Sequence, residues 1–518
     1  MHLRRSERLI GLVAIATLAL AVRTASAQRL AIAGDRFVVD DSPRFLTFIS
    51  YFGAMGAADV VADFQFLKDA GFDGVRIWPN SPEGPQLMRS DGRLDPAGLS
   101  RLLAILDRAS ERRLIVDVSF TAEHINGLSA AVYRTAIASA TEALLPYRNV
   151  LIDIENERNL YGPFGRPLAA SDVAAIAATI KRIDPARIVT ASNSQDLPAG
   201  AASQFTSDTG LDATAYHDPR IGSWYVAGQI QAVVDALKRN GRPVYLQEPT
   251  RFPNPSTDRA DYFRQAHANA KRAGAAAWCF HTDLGFNLRG STFRARLQSR
   301  LEPEWTFVTS LVPRIHLRAS NGAHYLVAEG GGGGAVFADR RAPGLWETFA
   351  LAAIDGGPAL DRDRVSLRTS DGRHYLQAAD GGGGAMSAVG EQPGPWETFI
   401  IESGAGEPIA AGQTVTLRTP DDAWYVTAED GGGAAVNVNR RAKGAWQSFT
   451  IVAAQPADAA PLRRAGLSQA RNATPVRMAA ATVIVSGSRA PTPNSNVDSS
   501  RVTPSDPPNP SISPSPDG

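Results

Sequence analysis

The chain has 518 residues, 53 of them basic and 52 acidic, with a formal net charge of +1. That is too long for one ordinary domain, and it leaves no global field to draw in nucleic acid or an anionic membrane, so a neutral partner is favoured. A single cysteine, Cys279, excludes an intramolecular disulfide framework and a thiolate-cluster metal site, and since no His, Asp or Glu spacing reads as a metal site either, no metal and no cofactor are expected.

At the start of the chain, Arg4, Arg5 and Arg8 precede an apolar run from Leu9 to Val22 and then Ala25-Ser26-Ala27. This is the pattern of an export signal cleaved after Ala27. Roughly 14 apolar residues fall short of the ~20 that span a bilayer. Residues 1–27 are therefore expected to be removed, leaving a secreted or periplasmic monomer without membrane contact. Leu30–Asp41 alternates like a small hairpin that closes the bottom of the next unit.

From 28 to 308, short β-branched runs alternate with stretches of helical period, the sequence texture of a parallel βα-barrel. Eight strands are predicted, at Phe45–Ser50, Gly74–Trp78, Leu114–Ser119, Val150–Ile154, Arg187–Thr190, Ala213–Tyr216, Pro243–Gln247 and Ala275–Phe280. Between them run helical stripes: Val60, Val61, Phe64 and Leu67 before Gly71; Leu99, Leu102, Leu103 and Leu106 behind Asp95 and Pro96; and Val173, Ile176, Ile180 and Ile183 behind Ser171. About 280 residues for eight units suits an α/β fold of the (β/α)8 TIM-barrel type, for which ~250 is typical.

Over 313–453 the texture changes to glycine runs and short strands in three copies. Leu317-Arg318, Leu367-Arg368 and Leu417-Arg418 begin them, Tyr325, Tyr375 and Tyr425 follow, and Trp346, Trp396 and Trp446 close them, with a spacing of 50 residues. Three mostly β units with glycine-rich hairpins such as Gly381–Gly384 point to an all-β β-trefoil. The tyrosines are expected in its core. The final segment, 454–518, turns to Ala, Pro and Ser and is expected to be disordered.

Reactive groups of a βα-barrel sit at the C-terminal ends of its strands. Glu157 ends Leu151-Ile152-Asp153-Ile154-Glu155-Asn156-Glu157 after the fourth strand, and Glu248 ends Pro243-Val244-Tyr245-Leu246-Gln247-Glu248 after the seventh. Strands four and seven face each other across the barrel mouth. Glycosidic cleavage uses two such carboxyls, one to protonate the leaving oxygen and one to attack or stabilise the anomeric carbon. Glu155 is a rival acid, but strand alternation turns it away. His281 and Asp283 either line the cleft or belong to a loop.

In this order the motifs resemble the clan of retaining glycoside hydrolases (clan A) with Asn-Glu at the fourth strand and Glu at the seventh, especially its cellulase-like family, glycoside hydrolase family 5. The likeness covers most of 28–308. It implies that Glu157 is the acid/base and Glu248 the nucleophile, that Asn156 binds the sugar 2-hydroxyl, that Arg76 keeps the nucleophile ionised, that His217 hydrogen-bonds near it and that Trp278 forms a platform beneath the sugar ring. Two departures stand out. Asp117-Val118-Ser119 replaces the histidine many relatives carry after the third strand, a contact that His124 could supply, and Pro249-Thr250-Arg251 is an uncommon continuation after Glu248.

The repeats, with Trp346-Glu347, Trp396-Glu397 and Trp446-Gln447, resemble fascin-like β-trefoil units, and those attached to secreted hydrolases are similar to a carbohydrate-binding family. Indole can carry the apolar face of a sugar while a neighbouring carboxylate accepts from vicinal hydroxyls. Absence of a carboxylate at Gln447 is expected to weaken the third copy. The alternative is that the tryptophans fill the trefoil centre. Together these features suggest hydrolysis of a polysaccharide, with β-glucan the first choice. The other reading is a non-catalytic carbohydrate-binding protein with a degenerate barrel.

Overall fold

The computed structural model describes residues 28–121, 125, 128–160, 167–217, 222–249, 259–299, 303–404 and 408–454. The leader at 1–27, His124, Thr250-Arg251 and the tail beyond 454 lie outside the described residues.

Three short antiparallel strands come first, β1 (Leu30–Ala33), β2 (Arg36–Val39) and β3 (Ser42–Arg44). The first two form the anticipated hairpin; the third has no counterpart in the sequence reading. Eight parallel strands follow: β4 (Leu46–Ser50), β5 (Gly74–Ile77), β6 (Ile115–Ser119), β7 (Val150–Asp153), β8 (Ile188–Thr190), β9 (Thr214–His217), β10 (Val244–Gln247) and β11 (Ala277–Phe280). They pair in the order β8-β7-β6-β5-β4-β11-β10-β9. A parallel bridge between Asn193 and Tyr216 closes the ring, with the His217 N–H donating to the Asn193 carbonyl at 2.9 Å. Each predicted strand is present, with ends shifted by two residues at most.

Alternation divides these strands into two faces. Phe48, Leu151, Ala215, Tyr245, Ala277 and Cys279 point into the barrel, where Leu30, Phe37 and Val39 from the hairpin join them. The hairpin therefore plugs the end opposite the strand C-termini. Val75, Val116, Ile152, Val189, Leu246 and Trp278 point outward under the helices.

The helices start and stop where their end residues dictate. In α1 (Val60–Ala70) the Asp59 carboxylate accepts from the Ala62 N–H, and Gly71 at φ 106° ends the helix in the left-handed region that glycine enters without a Cβ clash. Val60, Phe64 and Leu67 are buried, but Val61 is exposed. Asp95 caps α2 (Pro96–Glu111) through the Ala97 and Gly98 N–H groups. Its buried stripe runs Gly98, Leu102, Ile105, Leu106 and Ala109, so Leu99 and Leu103 lie at the margins rather than at its centre. In α4 (Ala170–Ile183), which follows α3 (Ala130–Ala143), Val173, Ile176 and Ile180 are buried and Ile183 is only partly so; Ser171 is inside the helix, not its cap.

The remaining barrel helices are α5 (Ala199–Asp208), α6 (Ala227–Leu237), α7 (Ala260–Arg272), α8 (Phe293–Ser299) and α9 (Glu304–Thr309). No helix among the described residues is long and apolar enough to cross a membrane.

The C-terminal unit is a second, antiparallel barrel. Six strands close a ring, β12 (Arg314–Ala319), β15 (Phe349–Ala353), β16 (Arg364–Arg368), β19 (Phe399–Glu402), β20 (Thr414–Arg418) and β23 (Phe449–Ala453). Three hairpins extend from it: β13–β14 (Tyr325–Ala328, Val336–Arg340), β17–β18 (Tyr375–Ala378, Met386–Gly390) and β21–β22 (Tyr425–Ala428, Val436–Arg440). The glycine turn of each hairpin bonds to the next, with Gly333, Gly383 and Gly433 donating to Ala388, Val438 and Ala338 at 2.7–2.8 Å.

The repeat tyrosines pair with the repeat arginines, Arg318 with Tyr325, Arg368 with Tyr375 and Arg418 with Tyr425. They are half-buried and not core as expected; Leu326, Leu376 and Val426 next to them take the core positions. A phenol so close to the barrel rim keeps its hydroxyl near water, which an aliphatic chain has no need of. The two barrels meet at a buried cation: Lys271 Nζ lies 2.7 Å from both Asp355 Oδ1 and Asp363 Oδ2.

Candidate active site

At the open end of the first barrel the inward parity that carries apolar side chains lower down carries polar ones. Arg76 on β5 is fully buried and sits at their centre. Its Nη1 donates to Glu248 Oε1 at 2.6 Å, its Nη2 to Asp153 Oδ2 at 3.1 Å and Asn156 Oδ1 at 2.8 Å, and its Nε to Ser119 Oγ at 2.8 Å. Asp117 Oδ2 lies 3.4 Å from Nε. Burial alone would lower the guanidinium pKa, but Glu248, Asp117 and Asp153 outweigh it and raise it above the usual arginine value. Asp117 is pushed up to about 7, chiefly by burial, with Arg76 opposing and Asp153 adding. Asp117 and Ser119 on the third barrel strand thus anchor Arg76, and Gln247 Nε2 donates to Asp117 Oδ2 at 3.0 Å.

Glu157 and Glu248 follow β7 and β10 and face one another. His217, last residue of β9, places Nδ1 3.0 Å from Glu157 Oε1 and 3.5 Å from Glu248 Oε2. One donor atom from each of the three lies within 4.8 Å of the others. Nδ1 thus stands between the two carboxyl groups. The Glu157 side chain is 19% exposed and that of Glu248 6%.

Both glutamates have φ of 47°. A non-glycine residue in that region is strained, by roughly 1–3 kcal/mol, and persists where its surroundings over-determine it. Around Glu157 those surroundings are the loop after β8: the Glu157 N–H donates to Ser192 Oγ at 3.1 Å, the Arg158 N–H to the Ser192 carbonyl at 3.0 Å, and Arg158 Nε to Asn193 Oδ1 at 2.8 Å. The Arg158 guanidinium lies 3.4 Å over the Phe205 ring.

Six residues were singled out for this site from the sequence, and five of them meet: Arg76, Asn156, Glu157, His217 and Glu248. Trp278 does not. It is in register with Leu246 on β10, on the outward face, and packs against His267, Phe280 and Phe307. Inward-facing Ala277 and Cys279 hold the parity that a platform would need. Since Trp278 has no exposed surface, Trp278→Ala is expected to cost about 3–5 kcal/mol of stability and to leave oligosaccharide affinity of the folded protein unchanged. Urea unfolding together with ligand titration checks this; lost affinity at unchanged stability would contradict it.

The aromatic wall near the carboxylates consists of other residues. Trp78 after β5 stacks on Phe52 with centroids 4.1 Å apart, and Phe286 meets Trp78 edge-on at 5.3 Å. His281, after β11, lies 5.5 Å from Phe52, with Nε2 3.8 Å from Glu248 Oε2. His281 therefore belongs to the cleft, whereas Asp283 begins a short 3-10 turn beyond it. Glu155 is buried against the Tyr133 hydroxyl of α3, away from the pair.

Glu157, His217 and Glu248 also form a three-donor set able to hold a metal ion, which sequence spacing did not indicate. A divalent cation there would share Glu248 with a guanidinium at 2.6 Å, and like charges so close repel strongly away from bulk water. The donor set therefore fits a proton-handling site better than a metal centre.

In the second barrel Trp346, Trp396 and Trp446 are 44%, 43% and 41% exposed and do not fill its centre. Their neighbours Glu347, Glu397 and Gln447 are buried instead of standing beside the indoles. Glu347 Oε2 accepts from the Gly344 N–H at 2.8 Å and Glu397 Oε2 from the Gly394 N–H at 2.9 Å; Gln447 Nε2 donates to Thr427 Oγ1 at 2.9 Å. These side chains brace the loop that presents each tryptophan. The expected pairing of indole with a sugar-binding carboxylate is thus corrected.

No protein-family model and no curated protein matches the sequence. Among solved structures, the chain is similar to the β-mannanase from Thermomonospora fusca, at 16% identity and a TM-score of 0.39 over 54% of this chain and 100% of that one. It is also similar to the endo-1,4-β-mannanase from Rhizomucor miehei, at 14% identity and a TM-score of 0.39 over 49% of this chain and 90% of that one. An endoglucanase matches at 17% identity and a TM-score of 0.36, over 51% of this chain and 97% of that one.

Proposed function

We propose that the first barrel is a retaining β-glycosidase that cleaves a β-linked polysaccharide by double displacement. The supporting observation is that oxygens of Glu157 and Glu248 lie within 4.8 Å of each other, while Arg76 grips Glu248 from a fully buried position. Retaining enzymes place their carboxyls about 5–5.5 Å apart, and inverting enzymes need roughly 6.5–9.5 Å to admit a water between them.

Glu248, kept ionised by Arg76, attacks the anomeric carbon as the bond to the leaving oxygen breaks, and Glu157 gives that oxygen its proton. Water then adds to the anomeric carbon, its proton passes to Glu157, and the ester to Glu248 is released. Asn156, whose Oδ1 is taken by Arg76, presents its amide nitrogen to the sugar 2-hydroxyl. His217 holds both carboxylates in line.

In this reading the second barrel is a β-trefoil that keeps the enzyme on polymer through Trp346, Trp396 and Trp446, and the protein works outside the cytoplasm after loss of its leader. The likeness of the repeats to fascin-like modules makes β-glucan the first substrate to try. Reducing-sugar release across a panel of β-glucans and β-mannans tests the proposal. Release from at least one polymer is expected. Binding without turnover on every polymer would overturn it and favour a carbohydrate-binding protein whose barrel has lost its chemistry.

A further inference from the structure

The three repeats share a seam in which the glycine turn of one unit faces the loop of the next. In the first and third copies this seam is shut. The Asp371 N–H donates to the Gly331 carbonyl at 3.1 Å, and the Asn321 N–H donates to the Gly431 carbonyl at 3.0 Å. A Cβ on Gly331 would lie 3.1 Å from Trp346 Cδ1 and 3.0 Å from Ser370 Oγ, and one on Gly431 would lie 3.4 Å from Trp446 Cδ1 and 3.1 Å from Ser320 Oγ. In each of these copies the glycine turn is thus wedged between the tryptophan edge and the serine of the next unit.

The second copy differs. Among the described residues no bond joins Asp421 to Gly381, and a Cβ on Gly381 would meet nothing within 4 Å. Pro420 stands where the other copies have Ser370 and Ser320, and Trp424 stands where they have His374 and His324. The larger indole of Trp424 fills the space beside Gly382, where a Cβ would come within 2.6 Å of Trp424 Cδ1, and Arg441 lies over its ring at 4.4 Å. The seam is propped apart. The result is a cleft of about 440 Å³ lined by Trp396, Pro393, Pro395 and Pro420, with Arg364 and Asp421 among its walls.

We propose that this cleft in the second repeat is the principal sugar-binding site of the C-terminal barrel, and that it takes a neutral β-linked hexose chain. The inference rests on the carbohydrate-binding role given to that barrel above, and it names which of three copies performs it. A half-exposed indole and three proline rings offer flat apolar contact for the C–H face of a pyranose. Arg364 and Asp421 contribute one charge of each sign, which supplies hydrogen bonds to hydroxyls without selecting a charged ligand. The volume falls within the range of about 300–1,000 Å³ usual for small-ligand sites. At the other two copies the backbone bonds from Asp371 to Gly331 and from Asn321 to Gly431 close the seam beside the indole.

The test uses the full chain carrying Glu157→Gln, so that polymer is not cut, with Trp346→Ala, Trp396→Ala, Trp446→Ala or all three added. Retardation in native gels containing soluble β-1,3-glucan or β-1,4-mannan gives the affinities, and the triple variant measures what the first barrel contributes. Trp396→Ala is expected to weaken binding by about tenfold or more, and the other two singles by less than about twofold. Trp396→Phe, which keeps a ring in place, is expected to retain most of the affinity and so separates loss of the platform from loss of fold. Equal losses at all three positions would overturn the inequality of the copies and leave the binding role standing. Retention of affinity by the triple variant would overturn both.

Discussion

Glu248→Ala is expected to lower kcat by on the order of 10⁴-fold or more, and Glu157→Ala by about 10²–10⁴-fold, each in a protein that still folds. The two losses differ in kind. Without Glu248 no covalent step can occur, so the defect persists whatever the leaving group. Without Glu157 the missing function is a proton for the departing oxygen, and a substrate such as a dinitrophenyl glycoside, whose leaving group needs none, should recover much of the first-step rate. Kinetics on aryl glycosides of graded leaving-group pKa separate the two. Comparable residual activity of both variants on polymer, with no dependence on leaving group, would show that neither residue has its assigned role. Alanine keeps a Cβ and so the strain of the 47° φ at either position, which leaves the lost carboxyl as the cause of the defect.

Arg76→Met is expected to abolish measurable turnover and to cost about 3–5 kcal/mol of stability, since deleting one partner of a buried ion pair strands the other in low dielectric. Here Glu248, Asp117 and Asp153 all lose the same cation. Arg76→Lys should fail almost as badly, because one ammonium cannot reproduce a fork that meets Glu248, Asp153, Asn156 and Ser119 together.

The pH dependence gives a second readout. Burial raises the Asp117 pKa to about 7 in the fold, above its value in the unfolded chain. The native state therefore binds the proton more tightly, and Asp117 withdraws stability as pH rises from about 4 to about 7. Arg76 opposes that shift. Its removal should steepen the decline and extend it to higher pH, as measured by urea unfolding between about pH 4 and 9. A variant whose stability follows the parent at every pH would contradict this electrostatic account.

Much of the barrel was legible because its strands are β-branched runs set between capped amphipathic helices, and local pattern suffices for those. Facing is harder to read. Ala277-Trp278-Cys279-Phe280 is apolar on both faces, so alternation alone does not say which pair points inward. The structure settles it by the register with β10. Val61 and Leu103 misled for a similar reason, since each flanks a true stripe position.

Within the site, Glu157 and Glu248 showed themselves as acids ending apolar strands. The polar floor did not, because Asp117, Asp153 and Ser192 are far apart in sequence and meet only where neighbouring strands align at Arg76. Conversely, Glu347 and Glu397 drew attention by standing next to tryptophan, yet both lie in the turn before the strand, where each carboxylate accepts from a backbone N–H of its own loop, Gly344 or Gly394. Sequence adjacency alone does not show that the loop itself uses the carboxylate.

Covalent trapping tests the central claim most directly. Incubation with an activated 2-deoxy-2-fluoro glycoside, which forms the glycosyl-enzyme quickly and hydrolyses it slowly, should add one sugar mass to the peptide containing Glu248, and Glu248→Ala should remain unlabelled. Labelling at Glu157, or no label on a protein that turns over the parent glycoside with inversion of its anomeric configuration, would contradict double displacement through Glu248.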